Sequence, residues 1–336
     1  MLPKPEVINQ HVQRYFPSLN ANKEKYLSIF FQSHETVPDH FAYICPICVN
    51  TGVAFLEEYY LDTNADLTLD HFPPESVGGK QTLLVCKKCN NEAGGGFEGA
   101  LKQKIEDISF NNLIGSSKRK MKTKISAVKG NYPGILSVRN DGTFGIDFKA
   151  SEKVHAPLLD QWVENSKGDY SWTAEVTYFV ADEDKVSKSL LKAAYLYCFQ
   201  YWGYGFSYSN TADNIRKILS GDMEYPLKNP SFWLGKIAKS IERLQLGLCY
   251  VTAGDEFKCF CVNVQIIDKQ TKHIEVACIL IPGPTKSDWD ELVRIQTILD
   301  KEPTMQVSFA HVMGNRAGDL IYDGYERSWT YLFSNN

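Results

Sequence analysis

The spacing of apolar and polar positions changes character twice along this chain. In the first forty residues it is helical: Tyr26, Leu27, Phe30 and Phe31 share one side of an amphipathic stretch over 22–32, which Pro38 ends. From Phe41 the apolar runs shorten, predicting strands at 42–44, 53–61 and 67–70, with a polar stretch at 62–66. The segment Phe72-Pro73-Pro74-Glu75-Ser76-Val77-Gly78-Gly79 breaks that pattern. Its prolines cannot donate to a sheet ladder and its glycines accept unusual backbone angles, so it predicts a loop. Residues 82–85 predict the returning strand. A helix is expected to start near Asn90, to be interrupted or turned at Gly94, Gly95 and Gly96, and to resume over 97–108. The order is strand, loop, strand, helix.

After a polybasic stretch at 116–124 the period changes again. Residues 122–149 predict short strands with hairpin turns at Gly130-Asn131 and Asn140-Asp141-Gly142. Alternation over 172–180 predicts a strand, 187–202 carries the strongest helical pattern, and 212–219 predicts a second helix. Runs at 246–251, 257–267 and 273–281 predict strands of one antiparallel sheet. A helix over 288–299 and late strands over 305–312 and 320–322 complete the reading. At 336 residues the chain exceeds the usual single domain. The pattern divides it into a helical extension over 1–40, a compact module over 41–112 and a larger α+β domain with an antiparallel sheet over 113–336.

Composition narrows the class. Hydrophobic residues at 43% and charged residues at 23% can build cores, which excludes a disordered chain. No run of 18 apolar residues occurs and the N-terminus MLPKPEVINQ lacks an apolar signal core, so a cytoplasmic protein without a membrane partner is expected. Nine cysteines, an odd number, suit a reducing compartment. The net charge of −4 conceals a local balance of +7 over 80–130. A focused basic segment in an otherwise acidic chain suggests a phosphate-binding surface. Lys118, Arg119, Lys120, Lys122 and Lys124 are its core and are expected to track a nucleic-acid backbone. On their own they would read as a solvated loop; proximity to the cysteine motif changes that.

That motif comprises two CxxC pairs, Cys45/Cys48 and Cys86/Cys89, with Asp70-His71 between them and Asn90 directly after the last cysteine. Each CxxC turn brings two thiolates to one ion, and two turns complete a closed tetrahedral structural Zn²⁺ site. A closed site leaves no position for substrate, so any chemistry belongs to the residues it brackets. The carboxylate of Asp70 and the amide of Asn90 are hard oxygen donors suited to Mg²⁺ or Mn²⁺. His71 is placed to act as a general base, provided the strand twists enough to bring it beside Asp70. Asn90 has a rival reading as a helix N-cap. Cys259 and Cys261 fall on one face of a strand and read as core, as do Tyr195, Tyr197, Phe199, Tyr201 and Trp202. The other histidines show no usable partner spacing.

The ordered set CPIC, DHFPPESVGG and CKKCNN resembles the HNH, or ββα-metal, nucleases, and within them the zinc-clipped subgroup typified by phage endonuclease VII. The resemblance covers about residues 41–112. It implies a ββα-metal fold, Asp70 and Asn90 as ligands of a catalytic Mg²⁺, His71 as general base and the four cysteines on structural zinc. The implied activity is phosphodiester hydrolysis in DNA, nicking by a monomer, with phage defence as a setting. The same chemistry permits RNA as substrate, and a non-catalytic zinc-stabilised nucleic-acid-binding protein is the alternative from another class. One departure concerns the residue that orients the base: many family members carry an asparagine where this chain has Gln81. A carboxylate often found on the following helix corresponds to Glu98.

Overall fold

The computed structural model describes residues 4–21, 41–50, 52–56, 60–61, 67–125, 132–148, 156–165, 174–227, 231–233, 247–253, 257–299 and 308–311. Helix α1 (Pro5–Ala21) is followed by an antiparallel sheet of β1 (Phe41–Ile44), β2 (Gly52–Leu56) and β3 (Tyr60–Leu61). The antiparallel hairpin of β4 (Leu67–Phe72) and β5 (Lys80–Cys86) runs directly into α2 (Lys87–Ala93), one π-helical turn (Gly94–Glu98) and α3 (Gly99–Asn111). Strand, loop, strand, helix is therefore present, with longer strands than the apolar runs alone marked.

Two local expectations are corrected. The helix begins at Lys87 and not near Asn90, because Cys86 is its N-cap and the Cys86 sulfur accepts the Cys89 N–H. The glycines do not break it: Gly94 and Gly99 keep right-handed helical angles and the backbone widens through a π turn. In the loop before β5, Gly79 is required by space, since a Cβ there would lie 1.4 Å from the Pro73 carbonyl oxygen.

Strands β6 (Lys118–Ile125), β7 (Tyr132–Val138) and β8 (Phe144–Phe148), helix α4 (Ala156–Asn165) and β9 (Ala174–Tyr178) follow, the strands forming an antiparallel sheet in the order β8-β7-β6-β9. The polybasic stretch is thus an inner strand and not a solvated loop. Helices α5 (Glu183–Trp202), α6 (Tyr204–Ser207) and α7 (Asn210–Ser220) precede the expected antiparallel sheet. That sheet contains β10 (Ser231–Trp233), β11 (Gly247–Ala253), β12 (Phe257–Ile267), β13 (Ile274–Ile281) and, after helix α8 (Lys286–Leu299), β14 (Ser308–His311). Its order is β10-β13-β12-β11-β14. The helix expected over 22–32, the Gly130-Asn131 turn and the strand at 320–322 lie outside the described residues.

Period-2 alternation sorts this sheet into two covered faces. Phe260, Val262, Val264 and Ile266 of β12 join the main core with α5, whereas Cys259, Cys261, Cys278 and Leu280 pack with Leu292 and Ile295 of α8. Cys259 and Cys261 are packing residues, as the strand pattern indicated. Helix α5 is apolar on most sides because it is covered on most sides. Trp202 meets Phe260 of the sheet at 4.8 Å between ring centroids, and Tyr197 meets Phe72 of β4 at 5.1 Å. Trp202→Ala would cost about 3–5 kcal/mol by opening this contact. One buried cluster unites Tyr15 of α1, Tyr43 of β1, Leu84 of β5, Leu101 of α3, α5 and the five-stranded sheet, so packing crosses the boundaries expected at 40 and 112. No helix among the described residues is long and apolar enough to cross a membrane.

Candidate functional site

The two CxxC segments meet because β1 and β5 are tied together by their backbones and side chains. Tyr43 of β1 donates its hydroxyl to the Leu84 carbonyl at 2.6 Å, and the Cys86 N–H donates to Cys45 Sγ at 3.3 Å. A tight turn follows Cys45, closed by the Val49 N–H on the Cys45 carbonyl at 2.9 Å. All four ligand atoms of Cys45, Cys48, Cys86 and Cys89 lie within 4.8 Å of one another, a group that can hold a metal ion. Cys48 Sγ and Cys86 Sγ are 3.8 Å apart. A tetrahedron with Zn–S bonds of about 2.3 Å has an edge of about 3.8 Å, so the donor set and its size fit zinc. Burial pushes the Cys45 thiol well up, while a hydrogen bond with Cys45 pulls Cys48 down.

Asp70 and His71 sit at the end of β4, and the ladder is irregular between them. Asp70 pairs with Leu83 and His71 with Gln81, leaving Thr82 as an extra residue on β5. A bulge increases local twist and relaxes strict alternation, which is what consecutive residues need to address one site. Gln81, the residue noted for orienting the base, is the register partner of His71. His71 Nε2 lies 3.8 Å from Glu75 Oε2 in the loop.

Asp70 is buried, at 1% exposure, and its partner is a residue the sequence did not single out. Lys192 Nζ of α5 lies 2.7 Å from Asp70 Oδ2 and 2.6 Å from Glu98 Oε1. The approach to Asp70 is that of an ion pair out of line for a hydrogen bond, whereas Lys192 donates properly to Glu98. Two carboxylates share one ammonium, so a unit of negative charge remains. Burial pushes the Glu98 carboxyl above its usual value despite the pull of Lys192, and Asp70 pushes it in the same direction. Burial alone would depress Lys192, but the attraction of Asp70 and Glu98 outweighs it and raises its pKa.

Family models, curated proteins and solved structures yield no match to this chain. The site is therefore read from its own residues.

Asn90 is half-buried in the first turn of α2, its backbone carbonyl accepting the Gly94 N–H. With Cys86 as the cap, the capping explanation for Asn90 falls away. Among the described residues the four cysteines are the one set of three or more such ligands whose donor atoms already converge. Asp70 and Glu98 are gathered about Lys192 instead. Lys192 also borders a cavity of about 520 Å³ between the CxxC turn after Cys45 and α7.

The basic segment divides by strand alternation. Lys118, Lys120, Lys122 and Lys124 are exposed, while Arg119 is directed elsewhere: it pairs with Asp107 at 3.2 Å and stacks over Tyr178 at 4.7 Å. Arg119 ties β6 to α3 through this pair and also lines the groove between them. Lys124 pairs with Glu175 across the ladder at 3.5 Å. The signal that would have found Lys192 was present in Ser189-Leu190-Leu191-Lys192-Ala193-Ala194: a lone cation inside an otherwise apolar helical run needs buried anions.

Proposed function

We propose that this chain is a metal-dependent endonuclease that hydrolyses phosphodiester bonds in DNA. The observation that carries this reading is the convergence of Asp70 and Glu98 on one positive charge, with His71 next along the twisted strand. A buried pair of oxygen donors with negative charge to spare fits a hard divalent cation such as Mg²⁺ or Mn²⁺. Asp70 and Glu98 would hold it, and Asn90 would add an amide oxygen from the first turn of α2. When bound, such an ion supplies Lewis-acid stabilisation of charge on the leaving 3′ oxygen. His71 takes the proton of the attacking water, and Glu75 is near enough to orient the ring. Structural zinc on Cys45, Cys48, Cys86 and Cys89 fixes β5 and α2 to β1, and through them the spacing of Asp70 from Asn90. One such centre cuts one strand, so a monomer nicks.

One observation favours a second reading. Lys192 already pairs with both carboxylates, as a permanent buried ion network would require, and the chain would then be a zinc-stabilised nucleic-acid-binding protein without catalysis. Incubation with supercoiled plasmid and Mg²⁺ or Mn²⁺ separates the two. Relaxed product from the wild type and none from His71→Ala supports hydrolysis; DNA binding without relaxed product supports the second reading.

A further inference from the structure

A groove of about 300 Å³ lies between α3 and the sheet bearing β6, lined among others by Lys102, Gln103, Lys118, Lys120 and Phe179. A second cleft of about 210 Å³ shares Lys102, Glu106 and Gln270 with it and adds Ser76 and Lys269. Ser76 follows Glu75, whose carboxylate lies 3.8 Å from His71, so the second cleft ends at the segment that contacts the proposed base. The acidic groups along these clefts are already engaged. Asp107 is held by Arg119 at 3.2 Å, Glu106 lies 3.7 Å from Lys102, and Asp268 accepts from the Thr271 hydroxyl at 2.7 Å and from the Gln270 N–H at 2.9 Å. Asp268 keeps its negative charge, because those donors are neutral, but Lys118 and Lys120 have no ion-pair partner among the described residues and outnumber it, so the balance is positive.

Phe179 supplies the second kind of contact. Its ring is 47% exposed on the groove wall, with Lys122 Nζ 5.4 Å from the ring centroid. Its backbone carbonyl is fixed by the Gln103 side chain at 2.9 Å, so the platform is anchored. An exposed aromatic ring flanked by unpaired lysines is the arrangement that binds a nucleic-acid strand by stacking and phosphate contact. Stacking needs an unpaired base, because in a duplex each base face is covered by its neighbours.

We infer that this groove holds single-stranded DNA, with Phe179 stacking a base and Lys118 and Lys120 on the flanking phosphates, and leads the strand toward His71. The inference rests on the nuclease reading for its purpose but not for its test. The zinc-loaded full chain carrying His71→Ala is titrated into labelled oligothymidylate, its duplex and the matching RNA, followed by fluorescence anisotropy. The single DNA strand should bind more tightly than the other two. Adding Phe179→Ala should weaken it about 5- to 150-fold, with Phe179→Trp restoring it. Adding Lys118→Gln with Lys120→Gln should lessen the slope of log affinity against log salt by about 1.4. Duplex or RNA preference, or unchanged binding in Phe179→Ala, overturns the inference even if plasmid cleavage is intact. Failure of cleavage with these binding effects intact would sink the nuclease reading alone.

Discussion

Two clusters of opposite chemistry stand side by side among the described residues. One is four sulfurs from two segments that follow strands of different sheets; the other is two carboxylates closed by a lysine. The sulfur cluster is complete without distant help, since β1, β5 and the start of α2 bring every ligand. The oxygen cluster is assembled from three places, with Lys192 separated from Glu98 by 94 residues. Helix α5 touches both: Tyr195 donates to the Pro46 carbonyl in the turn after Cys45, and Lys192, on the same face three residues earlier, reaches Asp70. Soft ligands in a closed set hold shape, while hard ligands with surplus charge are free to exchange one cation for another.

The largest effect should come from removing the sulfur-bound ion. Structural zinc contributes on the order of 10 kcal/mol of binding free energy to folding, so chelation or Cys89→Ser should abolish the cooperative melt and lower zinc content together. A variant that lost zinc yet melted normally would break the distinction between the two sites.

Lys192→Met tests the oxygen site in the opposite way. Leaving two buried carboxylates face to face should cost about 3–5 kcal/mol in the metal-free protein. Added Mn²⁺ should then recover more stability in the variant than it adds to wild type, read as the shift in melting temperature. Because the Lys192 pKa is raised above the ordinary 10.5, its contribution is full below that value and is lost as pH rises through the raised pKa. The gap between wild type and Lys192→Met should accordingly be constant near neutrality and close in strong alkali.

His71→Ala should lower plasmid nicking about 10²- to 10⁴-fold while leaving zinc content and the melting temperature unchanged, since the imidazole touches neither cluster's ion. Lys124→Ala is the control that should move nothing beyond about 0.5 kcal/mol, because its pair with Glu175 is exposed.

The difference between the sites also explains what the sequence made legible. CxxC spacing is local, so the four cysteines could be grouped by eye, and Asp70-His71 stood out between them. The bulge at Asp70/His71 met a requirement visible in advance, that neighbouring strand residues must twist to share a site. Lys192 was not legible because its role depends on how α5 docks, a tertiary fact. The pair of Arg119 with Asp107 was not legible either, because counting charge ignores the strand alternation that sets it apart from the four exposed lysines. The helix start was misread for a related reason: a cysteine sulfur, not an asparagine, caps it. The larger sheet was readable from its period alone, since β12 and β13 send alternate side chains to two apolar clusters.

The most direct test of the oxygen site is a calorimetric titration of Mn²⁺ into zinc-loaded wild type and Asp70→Asn. Binding of one further ion by wild type, lost in Asp70→Asn, is the result this account predicts. Equal binding by the two proteins, or none by wild type, would contradict it and leave Lys192 as the permanent occupant of the site.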